Sequence, residues 1–230
     1  MTHPRPAPRV GECAELAAMR SSPEKQERRR EILDAAEQLL IKQVDSNINM
    51  AAVAIGAGVA KGTLYLYFPS KEELLLALHA RHVEDFFDAL DHCLEAQTPV
   101  DSADILAVIK LKIVDHSTYL TLVNRCVDMM GRGIAVQASF TFKQRIATRI
   151  QHSGSLIEQR FVIRQPSDGV ALLMHTHALV IGLWQMLRPL PAMQAIYQEN
   201  RFTFFERDYF AELSMSFSSL WAGAASARLE

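Results

Sequence analysis

Lys61-Gly62-Thr63-Leu64-Tyr65-Leu66-Tyr67-Phe68-Pro69-Ser70-Lys71, KGTLYLYFPSK, decides how the rest of the chain is read. A short helical segment ends at a proline and gathers two lysines, two tyrosines and a threonine without a single acid. The acid-free zone reaches back to Ser46, so Lys61 and Lys71 give it +2 in a chain of 230 residues whose formal net charge is −2. A local cationic element on an otherwise acidic protein is an electrostatic footprint for a polyanion. Lysines neutralise phosphate charge, and tyrosine and threonine hydroxyls donate to phosphate oxygens. Gly62, lacking a Cβ, lets a backbone approach closely. Tyr65 and Tyr67 read as outward-facing phenols, because burial would demand partners this segment barely supplies. Phe68, next to a proline, reads as core.

Upstream, Asn49 caps a short helix over Met50 to Ala57, and Gly58 supplies the left-handed residue of a tight turn. Two short helices joined this way, the second cationic, form a helix-turn-helix. Ser70 to Glu73 reads as a capping box opening a long helix to about Ala96. Leu75, Leu78, His82, Phe86, Leu90 and Cys93 lie along one stripe of it. A first helix starts at Ser22-Pro23-Glu24, repeats Ile32, Ala36, Leu39 and Leu40, and ends near Val44. Further helices are expected near 102–116, 118–130, 134–162, 167–188 and 203–222, with breaks at Gly131-Arg132-Gly133, Gln165-Pro166 and Pro189 to Pro191. No segment alternates like a strand. The fold class is all-α, with about nine helices: a flexible arm over 1–21, a helix-turn-helix domain over 22–71 and a helical domain over 72–230. Two readings of the arm stand open: Arg5 and Arg9 reach a minor groove or phosphates, or the arm is an idle extension with Met19 as an alternative start.

Hydrophobic residues make up 49% and charged residues 22%, a globular composition. Cys13, Cys93 and Cys126 are odd in number and widely spaced, which predicts neither a disulfide framework nor a metal site and suits the cytoplasm. The N-terminus has arginines but no apolar stretch of a secretory signal. Val170 to Leu187 carries no formal charge over 18 residues, yet it contains His175, Thr176, His177 and Gln185. It is expected to be a helix buried in protein rather than in lipid. His79 and His82, three apart, can share a helix face, whereas His175 and His177 point about 200° apart. With no HExxH, serine elbow or phosphate loop, no catalytic residue, metal or cofactor is expected. The histidines read as polar groups in apolar helices, each needing a partner.

The pieces RREILDAAEQLL, VAIGAGVAKGTLYLYF and PSKEELL, between Arg29 and Leu76, resemble the DNA-binding domain of the TetR family of bacterial transcriptional regulators. The resemblance implies a homodimeric repressor or activator that binds a double-stranded operator and is switched by a small molecule; from the residues themselves, no membrane partner is expected. Phosphate-contacting positions of the family fall on Lys61, Tyr65, Tyr67 and Lys71, and Gly62 and Thr63 match positions that meet DNA. Specificity is assigned to Thr63, Tyr65 and Leu66. Three departures from the pattern stand out. Ala60 replaces a capping Ser or Thr, a loss of about 1 kcal/mol. Ala51 and Ala52 stand where polar residues often touch the backbone, and Leu66 replaces a polar residue. For the dimer interface we expect Leu172, Leu179, Leu183, Trp184, Leu213, Phe217 and Leu220, forming a four-helix bundle across a two-fold axis. For the effector site we expect His82, Phe86, Leu90, Tyr119, Met129, Met130, Phe140 and His175, with Phe87 and Trp184 also weighed as walls. Such a lining suits a lipophilic or aromatic effector whose binding releases the operator. The alternatives are a helical interaction protein that has lost DNA binding, which Ala51 and Ala52 would fit, and a metal-dependent enzyme.

Overall fold

The structure, a computed structural model, describes residues 23–42, 48–116, 118–130, 134–161, 168–188 and 206–225. The arm over 1–21, with Arg5 and Arg9, and the expected breaks at 131–133, 165–166 and 189–191 lie outside the described residues. The chain divides into two compact units, one through Leu74 and the other from Leu75.

The first unit holds α1 (Pro23–Lys42), α2 (Met50–Gly56) and α3 (Lys61–Tyr67). It also holds the opening turn of α4 (Lys71–Glu95). Helix α1 turns Ile32, Leu33, Ala36 and Leu40 inward, the helical spacing that the sequence shows. Asn49 Oδ1 accepts from the Ala51 N–H at 2.9 Å and starts α2. Gly58, at φ 64°, makes the turn to α3, and the two helices meet at 100°. That is the angle range of a helix-turn-helix. Val53, Ala54, Leu64 and Phe68 close the small core, and the Arg29 guanidinium lies over the Phe68 ring at 4.9 Å. Ser70 Oγ accepts from the Glu73 N–H at 3.1 Å at the start of α4.

The second unit continues with α5 (Ser102–Ile109), a π-helical turn (Lys110–Val114) and α6 (Tyr119–Met130). Helices α7 (Val136–Arg160), α8 (Asp168–Leu187) and α9 (Tyr209–Ala225) follow. The single helix expected over 102–116 is thus an α-helix that widens. Asp101 and Asp104 form a reciprocal capping box at its start. At its end the Asp115 N–H bonds five residues back to Lys110 O at 2.8 Å, and Lys110 Nζ clamps the Asp115 carboxylate at 2.6 Å. Helix α9 begins at Tyr209 because Asp208 Oδ1 accepts from the Ala211 N–H at 2.7 Å. The expected start at 203 lies outside the described residues.

Two connections fix the bundle. Helices α7 and α8 cross at glycines: a Cβ on Gly169 would stand 2.2 Å from Gly154 O, and one on Gly154 would stand 2.7 Å from Val170 Cγ2. Helices α4 and α7 are joined by a polar ladder. Arg145 pairs with Glu84 at 2.9 Å and Arg149 with Asp88 at 2.7 Å. Ser153 Oγ donates to the buried Asp91 at 2.5 Å, and Arg160 caps the end of α4 through Leu94 O and Ala96 O. Among the described residues, α8 is the one single helix long and apolar enough to cross a membrane by length and composition. It lies against α7 and α9, burying Leu172, Leu173, Thr176 and Val180, while Tyr209 Oη donates to its Val180 O at 3.0 Å. Its other side, with His175, Ala178 and Met186, is open in the single chain.

Candidate nucleic-acid interface and ligand cavity

Helix α3 presents Lys61 and Tyr65 outward because Leu64 and Phe68, four apart, take its inward face. Lys61 and Gly62 are exposed and Leu66 is 82% exposed, while Thr63 and Tyr67 are half-buried. Lys61, Tyr65 and Lys71 line one open, polar cleft together with Asn49, Met50 and Ala51. Lys71 Nζ also lies 3.9 Å from Glu72. Gly62, Thr63, Leu66 and Tyr67 are not in that cleft; Gly62 and Leu66, four apart, share the neighbouring exposed stripe. A Cβ built on Gly62 meets nothing within 4 Å among the described residues, so their packing does not require a glycine there. Ala60 starts α3 with extended backbone and no side-chain hydrogen bond.

The second unit encloses a cavity of about 270 Å³. Its wall comes from α4 (His79, Val83, Phe86, Phe87), α5 (Ile105, Ile109), Ile113 of the π-helical turn and Tyr119 of α6. Ile146 and Ile150 of α7 and Leu173, Met174, Thr176, His177 and Val180 of α8 complete it. Burial holds His79 neutral, lowering its pKa to about 3, with His82 and His177 opposing its charge as well. His177, although part of its side chain is open, is also shifted down by burial. Burial pushes the Tyr119 phenol up. Thr176 Oγ1 accepts from Trp221 Nε1 of α9 at 3.1 Å.

Of the residues expected at an effector site, Phe86 and Tyr119 are in this wall, with Phe87. The others are elsewhere, for reasons of helical register. His82 is buried against His116, their rings 4.2 Å apart, and Leu90 is sealed in the core at 0% exposed. Met129 and Met130 pack on a separate cluster of Leu76, Cys126, Ile134 and Phe142. Phe140 is 59% exposed because its neighbour Phe142 takes the inward position, and His175 points outward where Thr176 points in. The sequence reading missed His79 as a wall residue and missed the aliphatic wall. Ile105, Ile109 and Ile113, each four apart, were its available signal. Among the expected interface residues, Leu172, Leu213 and Phe217 are at most 5% exposed and already covered within the chain. Leu179, Leu183, Trp184 and Leu220 are half-buried.

The fold and its two sites define a helix-turn-helix protein whose second unit is a cavity-bearing helical bundle. Residues 32–78 match the family described as bacterial regulatory proteins, tetR family, and residues 80–228 match the tetracyclin repressor-like C-terminal domain. The chain belongs to the tetR family, one of transcriptional regulators. It is similar to the HTH-type transcriptional repressor KstR of Rhodococcus jostii (strain RHA1), 50% identical over 64 residues, 28% of this chain and 30% of that protein. It is also similar to KstR of Mycolicibacterium smegmatis, 32% identical over 145 residues, 62% of this chain and 65% of that one. The chain thus spans less than two thirds of either relative. Among solved structures, a tetR-family transcriptional regulator from Streptomyces coelicolor superposes with a TM-score of 0.53 at 17% identity, covering 87% of this chain and 83% of that one. That likeness bears on the fold alone.

Proposed function

We propose that this protein is a ligand-responsive, DNA-binding transcriptional repressor, acting in the cytoplasm as a homodimer and not as an enzyme. The observation that carries the reading is the cleft of Lys61, Tyr65 and Lys71 on an acid-free helix-turn-helix of a chain negative overall. Phosphates seat there against lysine charge and phenol hydroxyls, while Thr63 and Leu66 offer methyl contacts to thymine in the major groove. Leu66, 82% exposed, has no role in this chain's own core, which supports a partner surface. The name repressor, carried by both KstR relatives, supports repression over activation.

The dimer reading rests on the open faces of α8 and α9. On α9, Ala211, Met215, Ser218 and Ala222 form an exposed stripe of small residues with one methionine. On α8, Ala178 and Met186 are exposed, and Leu179, Leu183 and Trp184 sit half-buried beside them. Small residues allow close helix approach, and two helices from each protomer make a four-helix bundle. The effector seat is the cavity of the second unit, mostly apolar, which suits a lipophilic or aromatic molecule. Affinity for a target duplex measured across salt concentrations tests the reading. Lys61→Ala and Lys71→Ala each lower the salt slope by about one. Unchanged slopes in both variants would overturn it.

A further inference from the structure

The cavity wall includes a buried histidine, His79, with a ring nitrogen whose hydrogen bonding is unfinished. His79 is 6% exposed, its ring is edge-on to Tyr119 at 5.6 Å and tilted to Phe142 at 5.5 Å, and its Nδ1 has no hydrogen-bond partner among the described residues. A buried imidazole nitrogen in this position has lost the bond it held in water. Val83, Phe86, Ile109 and Ile113 around it supply no replacement. A polar atom brought in by a ligand would supply it.

The same wall limits what that ligand is. Among the described residues it contains no Lys, Arg, Asp or Glu, so an entering ion would shed its hydration without gaining a counter-ion. His79 does not provide a cation either, since burial keeps the imidazole neutral well below physiological pH. Thr176 Oγ1 already accepts from Trp221, and of the fully buried side-chain atoms without a partner among the described residues, His79 Nδ1 is the one that belongs to this wall. Resting on the effector reading above, we propose that the cavity binds an uncharged, largely apolar molecule whose hydroxyl group hydrogen-bonds to His79 Nδ1. A hydroxyl fits because Nδ1 donates in one neutral tautomer and accepts in the other, and a hydroxyl complements both. A volume of about 270 Å³ lies near the lower end, roughly 300 Å³, of small-molecule sites, so the molecule is compact.

Calorimetric titration of the full chain with 1-naphthol, naphthalene and 1-naphthoate tests this. The expected order is 1-naphthol about tenfold or more tighter than naphthalene, with the carboxylate weakest. In His79→Leu, naphthol and naphthalene bind within about twofold of each other, since the apolar variant cannot tell them apart. Because that variant can fail to fold, ¹⁵N NMR of the wild-type histidines provides a second readout: the His79 Nδ1 resonance moves with naphthol and not with naphthalene. Equal binding of naphthol and naphthalene, tighter binding of naphthoate, an unmoved His79 resonance, or no binding of any probe would each overturn the proposal. Duplex-DNA binding by the same sample reports on the regulator reading separately. Naphthol selectivity without DNA binding would sink that reading and leave the His79 chemistry standing.

Discussion

Helix α3 and the cavity of the second unit are built on opposite plans. The α3 surface is assembled from residues within one short stretch, with Lys61, Gly62, Tyr65 and Leu66 turned outward, and the chain folds around Leu64 and Phe68 without using them. The cavity is assembled from five α-helices and a π-helical turn, spanning His79 to Val180. The first surface is therefore free to vary with little effect on folding, whereas the second is inseparable from the packing that creates it. Substitutions should then separate the two: losses of binding without losses of stability at α3, and losses of stability first in the bundle.

The crossing of α7 and α8 gives the largest expected effect. A methyl on Gly169 would be driven to 2.2 Å from Gly154 O, a backbone atom that cannot swing aside. Gly169→Ala should cost about 3 kcal/mol, the upper end of ordinary overpacking, and lower Tm by roughly 6–12 °C for a chain of this size. Urea denaturation measures it. A variant as stable as the parent would mean that α7 and α8 do not meet at these glycines.

His79 provides the next effect, through pH. Its pKa falls from 6.5 unfolded to about 3 folded, first by burial and then by repulsion from His82 and His177. Between those values the unfolded chain holds a proton that the folded chain does not. Stability is therefore full above pH 6.5 and declines toward pH 3 by about 1.4 kcal/mol per pH unit. From pH 6.5 to 5 the loss attributable to His79 is about 2 kcal/mol. Subtracting the stability curve of His79→Gln from that of the parent isolates it from the carboxylates. Parallel curves over pH 5–7 would show that the imidazole titrates as it does in water.

The same contrast explains what was legible in the sequence. The helix-turn-helix was, because Asn49, Gly58, Pro69 and Ser70 punctuate it locally and each does its work within four residues. The exposure of Lys61 and Leu66 followed from the same short-range period. In the bundle, the helices were legible but not their facing. Phe140 and Phe142 are equally apolar, and only the position of the neighbouring helices decides which turns in. Leu213 and Phe217 were as eligible for an interface as Leu220, a residue of the same kind on the same helix, yet the chain's own core covers the first two and leaves Leu220 half-buried. The glycine crossing was silent, since Gly154 and Gly169 matter only through each other.

Gly62 sharpens the comparison from the side of α3. Among the described residues nothing stands within 4 Å of a Cβ there, so Gly62→Ala should leave the free protein as stable as before or raise it by up to about 0.5 kcal/mol. If the backbone at this position lies against DNA, the added methyl weakens duplex affinity by about tenfold, or ~1.4 kcal/mol. Denaturation and duplex titration of one sample read both quantities. Unchanged affinity would move the contact surface away from the start of α3.

The smallest effect concerns the uncapped start of that helix. Ala60 already has the extended backbone of an N-cap, at φ −66° and ψ 147°, but no side chain that can accept from the first-turn N–H groups. Ala60→Ser places a hydroxyl where the N–H of Gly62 or Thr63 can reach it, and stability should rise by up to about 1 kcal/mol. The bundle should be indifferent, so amide exchange should slow within Lys61 to Tyr67 and stay unchanged in α5 to α9. The substitution also sets two demands on the same N–H groups against each other. If they serve only α3, DNA affinity holds or improves as the helix is steadied. If they also meet phosphate, the serine competes with the duplex, and the variant becomes more stable while binding more weakly. A gain in stability with reduced affinity would therefore assign the first turn of α3, and not its lysines alone, to the DNA surface.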